Sequence, residues 1–399
     1  MAFVNGSNTD NTIRGTAASD VLSGLGGADV FYWQGGIGND TIHGGDTNDK
    51  YDTNPYTPNN PGGDRLVLEG TQGATITFRT TEAGTAKIGN NTVTFTGIER
   101  VWGTEGNDVV NASNAKLNAA HDGTPGHGLT IITRGGNDNI TASAFDDIID
   151  GGAGKDTIRA GAGDDFIQSS TGNDLIYGGP GGENIRWGNG DANHRPGNDT
   201  IYGGTGNDLI NIWIKQGDIT SQNGATGISG VSVTIDQIDS DGGFAGRAST
   251  SIGGASNLHF FEFELGWTHA GNDNVNASAA TVAANQAGFN FNTRWGHDVL
   301  TGSRGNDTLV ADEGKDTITG GAGRDQLWIG EGNAGDGDRD VIVLRAGDGQ
   351  DTVYGFDTGL DVLSHGGRSF SAREVGGGTL LTFAGGSDTV LLSDVFDFI

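Results

Sequence analysis

The chain has 399 residues, with 74 glycines, no cysteine and a formal net charge of −29. The missing cysteine excludes disulfides and thiolate metal sites, and the acidic excess excludes a nucleic-acid partner, whose phosphates need a basic face. Glycine at this level argues against a conventional packed core, yet 34% of the residues are hydrophobic, too many for a disordered chain.

The N-terminal text MAFVNGSNTDNT has no basic region and no apolar region, and nowhere do eighteen apolar residues run together. No membrane span and no entry into the general secretory route are expected. Within residues 1–61 a nine-residue register begins: Asn11, Asp20 and Asp29 are each followed two positions later by Ile13, Leu22 and Phe31. It slips by two residues and resumes at Asp40 and Asp49. Residues 62–105 change character, with alternating text such as ATITF (74–78) and NTVTF (91–95). Alternation predicts strands with one buried face, and this β-rich insert is expected to extend or buttress what surrounds it, the alternative being a recognition surface.

The register is clearest in the central block, 106–219. After the GND at Asp108, isoleucines stand at 131, 140, 149, 158, 167, 176 and 185. Two residues before the last six of them are Asp138, Asp147, Asp156, Asp165, Asp174 and Glu183, and Asp199 and Asp208 continue the series. With glycine at Gly136, Gly154, Gly163 and Gly172, the unit is GGxGxDxUx, where U is apolar.

A helical period would rotate these residues around an axis, and a strand period would scatter them over two faces. The solution is a three-residue strand carrying U inward, then a six-residue turn whose glycines take positive φ. Two units close one rung of a parallel coil, which stacks each acid over the one eighteen residues away at about 4.8 Å. Two bare carboxylates at that distance repel by roughly 1 kcal/mol in water and several times more at lower dielectric. A cation is therefore needed, and oxygen ligands with flexible high coordination suit calcium better than magnesium. Unit 142–150, ASAFDDIID, has Phe145 where its neighbours have glycine, so Asp147 is expected to be the poorer ligand.

A second β-rich insert, 220–270, contains FEFELGW (261–267). The text IERVWGTEGNDVVNAS (98–113) matches FELGWTHAGNDNVNAS (263–278), which implies an internal duplication of about 160–165 residues, with Glu99 and Glu264 in equivalent acidic positions. The third block, 271–350, holds Asp273, Asp298, Asp307, Asp316 and Asp325, with looser continuations at Asp340 and Asp351.

These repeats resemble the glycine-rich nonapeptides of RTX (repeats-in-toxin) proteins, and the resemblance implies an all-β parallel β-roll solenoid binding multiple calcium ions. The expected metal ligands are the aspartates at 20, 29, 40, 49, 108, 138, 147, 156, 165, 174, 199, 208, 273, 298, 307, 316, 325, 340 and 351. Residues 351–399, ending in Asp397, Phe398 and Ile399, are similar to the C-terminal cap of RTX proteins exported by type I systems. The resemblance thus implies secretion, with the type I machinery as a partner during export.

The sequence has no HExxH, GxSxG or GxxxxGK[ST], so no catalytic residues are nominated. YGFD (354–357) resembles catalytic text of mannuronan epimerases, but Thr358 and Gly359 follow where that family has Pro-His. Trp33, Trp187 and Trp328 open stretches where the register slips, and either plug those irregularities or form exposed contacts. A non-enzymatic, secreted structural protein is expected, a homo-oligomer or polymer forming a surface layer, filament or matrix. The alternatives are an adhesin for cell-surface or matrix polysaccharide and, third, a polysaccharide lyase or epimerase.

Overall fold

The computed structural model describes every residue except 37, 46–62, 118–126, 189–194, 215–228, 252–254, 284–286, 331–334, 397 and 399. Asp49, Asp397 and Ile399 therefore lie outside the described residues. Among the described residues the chain is all-β, and no helix is long and apolar enough to cross a membrane. It forms two compact units, residues 1–185 with 199–206 and residues 186–198 with 207–399.

In the first unit the register explains itself. Ile140 pairs in parallel with Ile158, and Ile158 with Ile176, while Ile131, Ile149 and Ile167 pair in a second sheet. Successive nonapeptides thus go to alternate sheets, and like residues meet every second unit. Both columns point into the coil with 0–1% exposure, each isoleucine contributing about 1.5–3 kcal/mol by burial. In the second unit Leu300, Ile318 and Ile342 line one sheet and Leu309, Leu327 and Val353 the other, all fully buried.

Glycine makes the tight rung spacing possible at the turns. At Gly154, where φ is +146°, a methyl group would stand 1.5 Å from the Gly136 carbonyl oxygen one rung away. Neither the conformation nor the space admits a side chain. Gly154→Ala is expected to cost the calcium-loaded protein more than about 2 kcal/mol. Calorimetric melting should show this as a lowered midpoint, and an unchanged midpoint would mean that the rungs separate freely.

The β-rich inserts continue the sheets. Arg65–Glu69 pairs in parallel with both Val30–Gln34 and Arg100–Trp102. The strands Ala74–Thr80, Ala83–Ile88 and Asn91–Thr96 form an antiparallel meander. Its outer strands pair in parallel with Val109–Asn111 and Asp40–Gly45. In the second unit Ser229–Ile238, Phe244–Thr250 and Ser256–Phe263 repeat this meander, and the first of them lies parallel to Asn272–Asn276. The alternating text thus spans the coil with buried side chains such as Phe78 and Phe95 in one unit and Phe244 and Phe260 in the other.

Trp33 and Trp187 are fully buried and plug their irregularities. Trp328 is only partly buried and stacks on Tyr354 with ring centroids 3.9 Å apart. At the C-terminal end, Thr389–Ser393 joins Gln350–Tyr354 in parallel, and Gly378–Phe383 and Phe370–Val375 fold back antiparallel. Asp357 of the YGFD text serves this region as a turn residue: its Oδ1 accepts the Gly359 amide at 2.9 Å.

Candidate metal centre

Each nonapeptide strand is entered through its acid, so the parallel pairing that aligns the isoleucines also aligns the carboxylates. The carboxylates do not simply stack. One oxygen of each accepts the backbone N–H of the residue in the equivalent place one rung earlier, at distances between 2.5 and 3.1 Å. In the first unit, Asp20 donates to Asp40, and Asp108, Asp138, Asp156, Asp174 and Asp199 form a continuous ladder. On the other sheet Asp29 donates to Asp64 and Asp64 to Glu99, while Leu129, Asp147 and Asp165 form a further run.

The second unit repeats the arrangement. Asp273, Asp298, Asp316, Asp340 and Asp361 form one ladder. Phe289, Asp307, Asp325 and Asp351 form the other, and Asp208 donates to Glu264. All the described aspartates nominated from sequence are buried. Asp64, Glu99, Glu264 and Asp361 are additional members. Asp64 is 35 residues from Asp29, a spacing that the nonapeptide period conceals. Glu99 and Glu264 carry a visible signal, their equivalent places in the duplicated text.

The electrostatics of the ladder differ from those of surface acids. Burial pushes Asp156 up to about 7 and Asp165 up to about 8. Asp174 reaches about 9 through burial first and the charge of Asp199 second. Burial, with the charges of Asp340, Asp336 and Asp338 behind it, raises Asp316 to about 9. Asp20 is the opposite case, lowered chiefly by the hydrogen bonds from Thr16. A raised value records a carboxylate for which desolvation outweighs the hydrogen bonds it accepts.

The donor set fits calcium. At Asp29, Asp156, Asp165, Asp174, Asp316 and Asp325 the second oxygen, Oδ2, is buried and has no hydrogen-bond partner. Such an oxygen is costly to bury unless a cation or proton meets it. These six, with the carbonyls of their own turns, would hold the ions. Among the described residues no three acidic or imidazole side chains converge, and main-chain oxygen beside a carboxylate is a donor type suited to calcium.

Comparison with known proteins agrees with this chemistry. The family model described as RTX calcium-binding nonapeptide repeat (4 copies) matches residues 5–32, 34–54, 89–115, 132–167, 160–191, 195–211 and 293–327. Among solved structures, the chain is similar to the extracellular lipase LipA from Serratia marcescens, at 14% identity and a TM-score of 0.18. That match covers 68% of this chain and 43% of the lipase. No curated protein matches the chain. Repeats of that family are matched in both units with the acid ladder running through them, so the chain carries RTX calcium-binding nonapeptide repeats, which bind multiple calcium ions and occur in secreted proteins.

Proposed function

We propose that the chain is a non-enzymatic structural protein that self-assembles outside the cell, in calcium, into a surface layer, filament or matrix. The observation that carries this reading is the acid ladder itself, a series of buried carboxylates that calcium would neutralise on a chain of net charge −29.

The charge distribution supports the same reading. A net charge of −29 opposes contact between copies, and calcium neutralises acids as it fills the ladder. The ion that completes the fold therefore also removes the barrier to association. Partly buried Trp328 and the strand text FEFELGW supply candidate contacts, although Phe260 and Phe263 face the core and leave Phe261 and Glu262 outward.

Electron microscopy of the purified protein at micromolar concentration in millimolar calcium should show filaments or sheets that disperse in chelator. A monodisperse monomer throughout that calcium range would defeat the reading. Binding to a polysaccharide array under those conditions would put the adhesin in its place.

A further inference from the structure

Ten rungs of the ladder fall into two geometries, separated by the residue four positions before the acid. In the open geometry that residue is left-handed: φ is +81° at Leu25, +80° at Gly152, +121° at Gly161, +61° at Ser170, +58° at Asp312 and +100° at Gly321. These precede Asp29, Asp156, Asp165, Asp174, Asp316 and Asp325, six of the carboxylates whose Oδ2 is bare, and Gly36, Arg134 and Arg294 hold the same left-handed place before Asp40, Asp138 and Asp298. The turn amide is spent elsewhere, that of Gly152 on Asp150 Oδ1 at 2.9 Å and that of Gly161 on the Gly178 carbonyl at 3.1 Å.

In the closed geometry the same position holds a threonine or serine outside the left-handed region. The amides of Thr16, Thr104, Ser143 and Ser303 donate to Oδ2 of Asp20, Asp108, Asp147 and Asp307 at 2.6–2.7 Å. Their hydroxyls donate to the same carboxylates at 2.7–2.9 Å. Each hydroxyl then accepts the amide two residues on, from Ala18, Gly106, Phe145 and Gly305. The carboxylate thus has partners for both oxygens, and so does the turn that surrounds it. The same closure occurs around a neutral side chain at Asn11, whose Oδ1 accepts the amide and hydroxyl of Ser7 at 2.5 and 3.2 Å. It does not depend on a carboxylate.

We propose that Thr16, Thr104, Ser143 and Ser303 stand in for the ion at their rungs, so that Asp20, Asp108, Asp147 and Asp307 close without calcium. The open rungs require it. The proposal rests on calcium binding by the open rungs and restricts it: a carboxylate in the ladder is a ligand only where the residue four positions earlier is left-handed. The hydroxyl and amide together replace the cation's role of satisfying Oδ2, and they bring no counter-charge that would attract an ion.

Native mass spectrometry of the full chain in calcium tests this by counting bound ions, with far-ultraviolet dichroism reporting that each variant is folded. Asp156→Asn and Asp165→Asn are expected to lose calcium, whereas Asp147→Asn and Asp307→Asn keep the wild-type count. Ser143→Gly and Ser303→Gly free the turn to become left-handed and should each gain one ion. The two rungs lie in different units, so one remains readable if a variant at the other fails to fold. Loss of an ion from Asp147→Asn and Asp307→Asn, or an unchanged count in both glycine variants, would overturn the closed-rung assignment alone. A wild-type chain that binds no calcium would overturn the reading on which it rests.

Discussion

Removal of calcium is expected to take the folded chain to a largely disordered state, and millimolar calcium to restore it. An ion present at ten times its dissociation constant contributes about 1.4 kcal/mol per site. Six open carboxylates together would then supply on the order of 8 kcal/mol, comparable to the whole net stability of a typical domain. The conformational cost of ordering a glycine-rich chain is large, and the narrow columns of isoleucine and leucine offset only part of it. Far-ultraviolet dichroism should move from coil to β across the titration. A chelated sample with an undiminished β signal at neutral pH would contradict this account of the stability.

A second large effect follows from the raised carboxylates. Burial places Asp138 at about 6, Asp156 and Asp351 at about 7, Asp325 and Asp340 at about 8, and Asp174 and Asp316 at about 9. In the unfolded chain each returns to the ordinary aspartate range near 4. Between the two values the folded state binds more protons than the unfolded state, so stability falls as pH rises. The contribution is complete below about pH 4 and is lost in steps up to about pH 9. Calcium-free protein should therefore regain β structure on mild acidification, because protons occupy the oxygens that the ion would otherwise meet. Calcium binding near neutral pH should in turn release protons. Dichroism and thermal melts of metal-free protein from pH 5 to 9 measure the first effect, and calorimetry in buffers of different ionisation enthalpy measures the second. Metal-free stability that climbs with pH over this window would show that the ladder acids are ionised and accommodated without a cation.

Periodicity alone was enough to identify the parallel coil, its inward apolar columns and most of the acids that share its turns. The reason is physical: an eighteen-residue rung admits one strand register, and a one-residue slip would turn Ile140 or Ile158 out of the core. The duplicated text also marked Glu99 and Glu264 as equivalent. Sequence did not reveal Asp64 and Asp361 as members of the ladder, because they stand 35 and 21 residues from Asp29 and Asp340, intervals that the nine-residue period does not contain. Nor did it separate Trp33, which is buried, from Trp328, which stacks on the outer face. The contrast between Ser143 and Ser170 lay furthest from sequence. Both are serines four residues before an aspartate, yet Ser143 closes on Asp147, whereas Ser170 is left-handed and gives its hydroxyl to Asp150 at 2.8 Å. That choice is made by a carboxylate twenty residues away in the chain, brought beside Ser170 only by the stacking of the rungs. Composition and spacing thus determined that carboxylates would line the coil, and the tertiary packing of each turn decided which of them present a free oxygen to calcium.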